Sequence, residues 1–143
     1  MRNDRMINNL NELDFRPECF ASDVYETLDW TNIDSEMTDG QRRFISGLVS
    51  YYKPENVLEL GVSAGGGTVV LLNALLSNKS WKGKLLSIDK LKCFYRDPNL
   101  PVGHLARRKF PDLFGSKWIL EDGKDPAEVF SGGGRCTLGG YEV

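Results

Sequence analysis

The stretch NVLELGVSAGGGT, residues 56–68, constrains this chain more than any other. A short apolar run, Val57-Leu58-Glu59-Leu60, stops at Gly61, and Gly65, Gly66 and Gly67 follow before a second apolar run opens at Thr68. Glycine loses more backbone entropy on ordering than any other residue. Such a cluster marks a tight turn, a close approach by a ligand, or a segment without order. The flanking runs favour an ordered corner. Residues 57–60 have the length and composition of a buried strand. Residues 68–78, TVVLLNALLSN, are nearly all apolar, and the Leu-Leu-Asn-Ala-Leu-Leu within them favours a helix buried on most of its surface.

The rest of the chain alternates in the same way. Thr38 followed by Gln41 is a capping-box signature, and Phe44, Ile45, Leu48, Val49 and Tyr52 recur at helical spacing. Lys53-Pro54 ends that helix, because the residue before proline avoids helical geometry. KGKLLSIDK predicts a strand over residues 84–88 with Asp89 at its end. DPNLPVGHLARRKFPDLFG holds a short helix between proline breaks, and SKWILEDG reads as a third strand. In DPAEVF, Asp125 caps a helix with Pro126 at its first position and Glu128 three residues after the cap. Strands alternating with helices imply parallel strands joined by right-handed crossovers. The expected fold class is α/β, the N-terminal half of a Rossmann-like doubly wound parallel sheet.

Three segments follow: a polar lead-in with short helices over residues 1–36, a partial Rossmann-like domain over 37–130, and a Gly-rich tail over 131–143. The tail, SGGGRCTLGGYEV, has five glycines in thirteen residues and no convincing strand, so disorder is expected there. A fourth strand is due at that point. The chain therefore reads as truncated after its third strand.

Composition excludes several classes. The 143 residues suffice for one domain with a real core, and 41% hydrophobic with 27% charged residues is globular usage. The net charge of −2 gives no electrostatic reason to expect nucleic acid, and Arg107-Arg108-Lys109 reads as a solvated helix face. No segment approaches the roughly 20 apolar residues of a membrane span, and MRNDRMINNLNELD has no signal-peptide core. Cys19, Cys93 and Cys136 are scattered and fit no metal spacing, which suggests reduced thiols and a cytoplasmic protein. The single histidine, His104, reads as a polar position on a short helix.

The corner itself predicts a small-molecule site. Ligands of open parallel sheets bind beyond the carboxyl ends of the strands, against a helix N-terminus. A P-loop requires lysine where Gly67 stands, and a dinucleotide fingerprint requires a second glycine where Ser63 stands. Glu59, two residues before the first glycine, suits a cationic ligand better than a diphosphate. S-adenosylmethionine carries a sulfonium and an ammonium and no phosphate.

VLELGVSAGGGT resembles motif I of the class I S-adenosylmethionine-dependent methyltransferases. It is most similar to the small-molecule O-methyltransferase branch and to the group found beside glycan-modifying and antibiotic-tailoring enzymes. The resemblance covers roughly residues 38–130. By position it implies that Glu59, Gly61, Ser63, Gly65 and Gly66 line the methionine end of the cofactor, with Gly67 and Thr68 opening the helix. It implies that Asp89 accepts hydrogen bonds from the ribose hydroxyls and that Lys90 and Leu91 lie along the adenine. Gly123, Lys124 and Asp125 would border the adenine ring, although Asp125 also serves as a cap. The family's fourth strand ends in an acid near the transferred methyl group, which also ligates metal in some members; nothing here fills that position. The implied function is S-adenosylmethionine-dependent methyl transfer to a hydroxyl of a small molecule or sugar, with the cofactor half present and the acceptor half missing. The alternative is a cofactor-binding module or inactive fragment. No catalytic residue is named, His104 being the only candidate by chemistry, and no metal is expected.

Overall fold

The computed structural model describes residues 23–131, together with two short strands at Thr137–Leu138 and Tyr141–Glu142. Two helices lead in, α1 (Asp23–Glu26) and α2 (Asp39–Tyr52). Strand β1 (Val57–Leu60), helix α3 (Gly66–Ser77) and strand β2 (Leu85–Asp89) follow. Next come a hairpin of β3 (Cys93–Phe94) and β4 (Asp97–Pro101), helix α4 (His104–Lys109), strand β5 (Trp118–Asp122) and helix α5 (Pro126–Phe130). The two terminal strands are β6 and β7.

Strands β1, β2 and β5 form one parallel sheet in the order β1-β2-β5. Each new strand adds outward in chain order, which is how one half of a Rossmann-like sheet is wound. The α/β class read from the alternation is therefore the class observed. Both capping boxes form. Thr38 Oγ1 accepts from the Gln41 amide while Gln41 Oε1 accepts from the Thr38 amide, and Asp125 and Glu128 do the same for α5. Lys53 closes α2 in the left-handed region at φ 49°.

Helix α3 lies at the centre of the core. Val69, Val70, Leu72, Ala74 and Leu75 are buried, and all but Val70 cluster with Leu85 of β2, Trp118 of β5 and Ala106 of α4. The expectation of a helix buried on most of its surface holds. Its start lies two residues earlier than the apolar run, inside the glycines. On α2 the fully buried positions are Ser46, Gly47 and Val49, whereas Phe44, Ile45 and Leu48 are only half-buried. The helical spacing therefore identified the element but not its most buried positions.

Two features were not anticipated. The β3–β4 hairpin occupies residues that read as lead-in to a short helix, and only His104–Lys109 is helical there. The tail holds the antiparallel pair β6–β7, where no strand was expected. Gly139-Gly140 between these strands is a two-residue hairpin signal, so the corrected reading has a mechanism. The remaining expectations for residues 1–22 and the tail fall outside the described residues. Cys93 is an exposed free thiol; Cys19 and Cys136 also lie outside.

Trp81 closes the core at the end of the sheet away from the glycine corner. Its indole donates to the Glu55 carbonyl at 2.8 Å, and the Lys117 ammonium lies over its ring at 4.5 Å. Gly83 passes so near this carbonyl that an added Cβ would stand 1.5 Å from the Glu55 oxygen. Gly83→Ala must displace main chain rather than a flexible side chain. It is expected to cost about 3 kcal/mol of unfolding free energy, read as a lowered midpoint in urea denaturation with the slope unchanged.

Candidate functional site

The corner after β1 is shaped by unusual backbone geometry. Gly61 sits at φ 84°, Ser63 at φ 53° and Gly65 at φ 99°. A positive φ is uncommon for a residue with a Cβ, so Ser63 must be held there. Asp89, at the end of β2, does the holding. Its Oδ2 accepts the amides of Val62 and Ser63 at 2.8 and 3.0 Å, and its Oδ1 accepts the Leu91 amide at 2.8 Å. One carboxylate thus ties the first loop to the turn leaving the neighbouring strand.

The four glycines serve different ends. An added Cβ on Gly61 would meet nothing within 4 Å, so its main chain faces open space. On Gly65 it would stand 3.0 Å from Gly103 Cα and 3.1 Å from the Ala106 amide, so this glycine lets α4 pack against the corner. On Gly66 it would stand 2.6 Å from Ser35 Cβ and 2.7 Å from the Asp34 carbonyl oxygen. On Gly67 it would come within 3.2 Å of Glu59 Oε1 and of Met37 Cε. Two of the four therefore accommodate the segment at residues 34–37, which crosses the start of α3.

Between that segment and β1 lies a cleft of about 450 Å³. Glu59, Gly61, Ser63 and Gly66, four of the five residues expected at the methionine end, line it, and so does Gly67, which was expected to open the helix. Gly65 lies behind it, against α4. Asp89 touches the corner from the other side and does not line the cleft. Lys90, Gly123 and Lys124 gather with it at the neighbouring strand ends. The Lys124 amide donates to the Asp89 carbonyl at 3.1 Å and the Gly123 amide to the Leu91 carbonyl at 3.2 Å. Lys90 pairs with Asp125 at 3.0 Å, and the Lys124 ammonium pairs with Glu121. The candidate residues thus fall into two adjacent groups, one around the cleft and one around the ends of β2 and β5.

Sequence reasoning missed the opposite wall. Asp34, Ser35, Glu36 and Met37 form it, with Phe94 and Arg96 of the hairpin at one end. Arg96 reaches Asp34 at 3.3 Å and Glu36 at 3.5 Å, and the Tyr95 hydroxyl donates to Glu36. These pairs bridge about sixty residues of chain, and no local pattern signals them. Leu58 and Leu60 on β1 are 43% and 59% exposed, which gives the cleft an apolar side. His104 lies outside it, with Nδ1 3.2 Å from the Pro101 carbonyl oxygen and its ring against Phe94. Among the described residues no cluster of three or more His, Cys, Asp or Glu could hold a metal ion. No helix among them is long and apolar enough to cross a membrane. Of the basic run, Arg107 is anchored to the Val102 carbonyl, Asp122 and the Phe114 ring, while Arg108 and Lys109 are exposed as expected.

Glu59 dominates the electrostatics of the cleft. Thr68 Oγ1 donates to Oε2 at 2.8 Å and to Oε1 at 3.1 Å, and Ser87 Oγ donates to Oε2. Burial pushes its carboxyl up to about 7 from an ordinary 4.5, against the Ser87 and Thr68 hydrogen bonds, which favour the ion; the Asp89 charge adds to the rise. Ser63 Oγ is buried and has no protein partner. The arrangement presents an open stretch of main chain at Gly61 and one carboxylate whose charge changes near neutrality, with a buried, unpartnered hydroxyl at Ser63 beside them.

No family model matches the chain, and no curated protein does. Among solved structures the chain is similar to the SAH-bound methyltransferase PaMTH1 of Podospora anserina. The identity is 16% and the TM-score 0.47, over 82% of this chain and 46% of that one. The chain therefore spans less than half of that protein's length.

The titration of Glu59 has a signed consequence for stability. Its folded value lies above its unfolded one, so its contribution is fully present below pH 4.5 and is lost as pH rises toward 7. The loss is expected to be about 2 kcal/mol, less than the whole shift implies because the residue keeps some contact with water through the cleft. Glu59→Gln removes this loss. Urea denaturation at pH 4.5 and 7.5 should show the wild type losing about 2 kcal/mol more than the variant across that interval.

Proposed function

We propose that the chain binds S-adenosylmethionine at the glycine corner and is the cofactor-binding part of a methyltransferase acting on a hydroxyl of a small molecule or sugar. The observation that carries this reading is the buried carboxylate of Glu59 beside open main chain at Gly61, with no free cation among the described residues that line the cleft. Arg96 is the one Lys or Arg among the described lining residues, and Asp34 and Glu36 already hold it. A triphosphate or diphosphate would meet negative charge and find no cationic partner, whereas a ligand bearing an ammonium and a sulfonium is matched by that charge.

Glu59 would hold the cationic end, Gly61 would let the ligand lie against the backbone, and Ser63 Oγ would gain the hydrogen bond it lacks. When bound, the cofactor supplies an electrophilic methyl group. The chain's own part is to bind, orient and exclude water, which is where positioning gains its rate advantage. The ends of β2 and β5, with Asp89, Lys90, Gly123 and Lys124, would take the adenosine. Asp89 already accepts three amides, so at most one of its lone-pair sites remains for a ribose hydroxyl. Binding without turnover is the second reading. It is favoured by the absence of any histidine from the cleft and by the position of His104 outside it.

Titration calorimetry separates these readings. S-adenosylmethionine should bind with a micromolar Kd, weakened about tenfold or more in Glu59→Ala. ATP and NADH should give no heat. Heat from ATP or NADH without heat from S-adenosylmethionine would overturn the proposal. Methyl transfer to a panel of hydroxylated acceptors distinguishes an enzyme from a binding module.

A further inference from the structure

Behind Glu59 runs a buried chain of hydrogen bonds that the binding reading does not use. Trp118 Nε1 donates to Ser87 Oγ at 3.0 Å, and Ser87 Oγ donates to Glu59 Oε2. Ser87 lies opposite Glu59 in the parallel register, and both Ser87 and Trp118 are fully buried. An indole N–H can only donate, so the Ser87 oxygen must accept from it. The single hydroxyl hydrogen of Ser87 is then free to point only away from Trp118, and Glu59 is its partner.

The geometry points to Ser87 and Trp118 as positioning residues that fill Glu59 Oε2 and leave Oε1 as the oxygen presented to a ligand. Oε2 already takes two donated hydrogens, from Ser87 and from Thr68 at 2.8 Å. Oε1 receives only the longer branch of the Thr68 bond, at 3.1 Å. It lies 3.2 Å from where a Gly67 Cβ would stand, on the wall that Gly67 and Met37 share with the cleft. A proton taken up by Glu59 therefore resides on Oε1. The cleft is offered a lone pair when the group is ionised and an O–H when it is not. An N–H or other cationic donor is recognised in the first state and refused in the second.

The other groups bearing on this oxygen are few. Among the described residues, β2 contributes Asp89, α3 contributes Thr68 and no charge, and β5 contributes the Trp118 indole through Ser87. Across the cleft stand Asp34, Glu36 and Arg96, paired among themselves. The two hydroxyl donors are therefore the main interactions favouring the charged form.

The inference rests on the cofactor reading for its purpose, yet it can be tested without any ligand. Carbon-detected NMR of the full chain labelled at the glutamate carboxyls follows Glu59 between pH 5 and 9, with Glu59→Gln identifying its resonance. The wild type should titrate near pH 7. Ser87→Ala removes a hydrogen bond to the charged form and should raise the midpoint by about one pH unit. Ser87→Thr, which keeps the hydroxyl, should restore it, and Trp118→Phe should shift it in the same direction as Ser87→Ala. A midpoint in Ser87→Ala equal to that of the wild type overturns the proposal. Should these variants not fold, the wild-type Trp118 indole resonance decides: it should step with the Glu59 midpoint, and a flat profile overturns the proposal. Calorimetry with S-adenosylmethionine at pH 6 and pH 8 adds a second arm, with tighter binding expected at pH 8. No binding at either pH, alongside the expected titration, would defeat the cofactor reading and leave the positioning role standing.

Discussion

A single carboxylate holds the corner on which everything else in this molecule depends. Asp89 gathers three backbone amides from two loops, and without it neither loop has a partner for those donors. An unpaired buried amide is costly, so the tie determines where the chain goes after β1. It keeps Ser63 in a conformation that a side-chain-bearing residue rarely adopts. It also places Gly61 with its open side outward, and so sets one wall of the cleft.

Glu59 and Asp89 show how two acids near one corner can have different duties. Asp89 is surrounded by amide donors and serves the backbone. Glu59 points into the packed region between β1, β2 and α3, where hydroxyls supply its hydrogen bonds and burial opposes its charge. The first is structural by its partners. The second has one oxygen filled by two hydroxyl donors and the other holding only a longer hydrogen bond from Thr68.

The alternation of elements was legible because it rests on local physics. The runs at 57–60, 68–78 and 84–88 have lengths and neighbours that separate strand from helix, and the two capping boxes depend on residues three apart. The nearness of Glu59, Gly61, Ser63 and Gly66 to one corner was legible for the same reason, since they lie within one short stretch of chain, whereas the sequence did not show that Gly65 lies behind it. The purpose of the glycines was less so. Gly65, Gly66 and Gly67 look alike in sequence, yet one accommodates α4 and two accommodate residues 34–37, which lie thirty residues away. The hairpin at β3–β4 was obscured by Pro98 and Pro101, both within β4, which read more readily as helix breakers.

What the sequence by itself determined is the order and kind of the central elements, the position of the glycine corner and the acid that enters it. These follow from periodicity, capping and backbone freedom, all of which act over a few residues. The tertiary structure alone decided that Asp89 turns to the backbone, that Arg96 and Tyr95 meet Asp34 and Glu36, and that Trp118 stands behind Ser87 and Glu59. Each of those contacts joins residues some twenty-five to sixty positions apart. Their partners are chosen by how strands and helices pack, and no pattern within a short window records that choice.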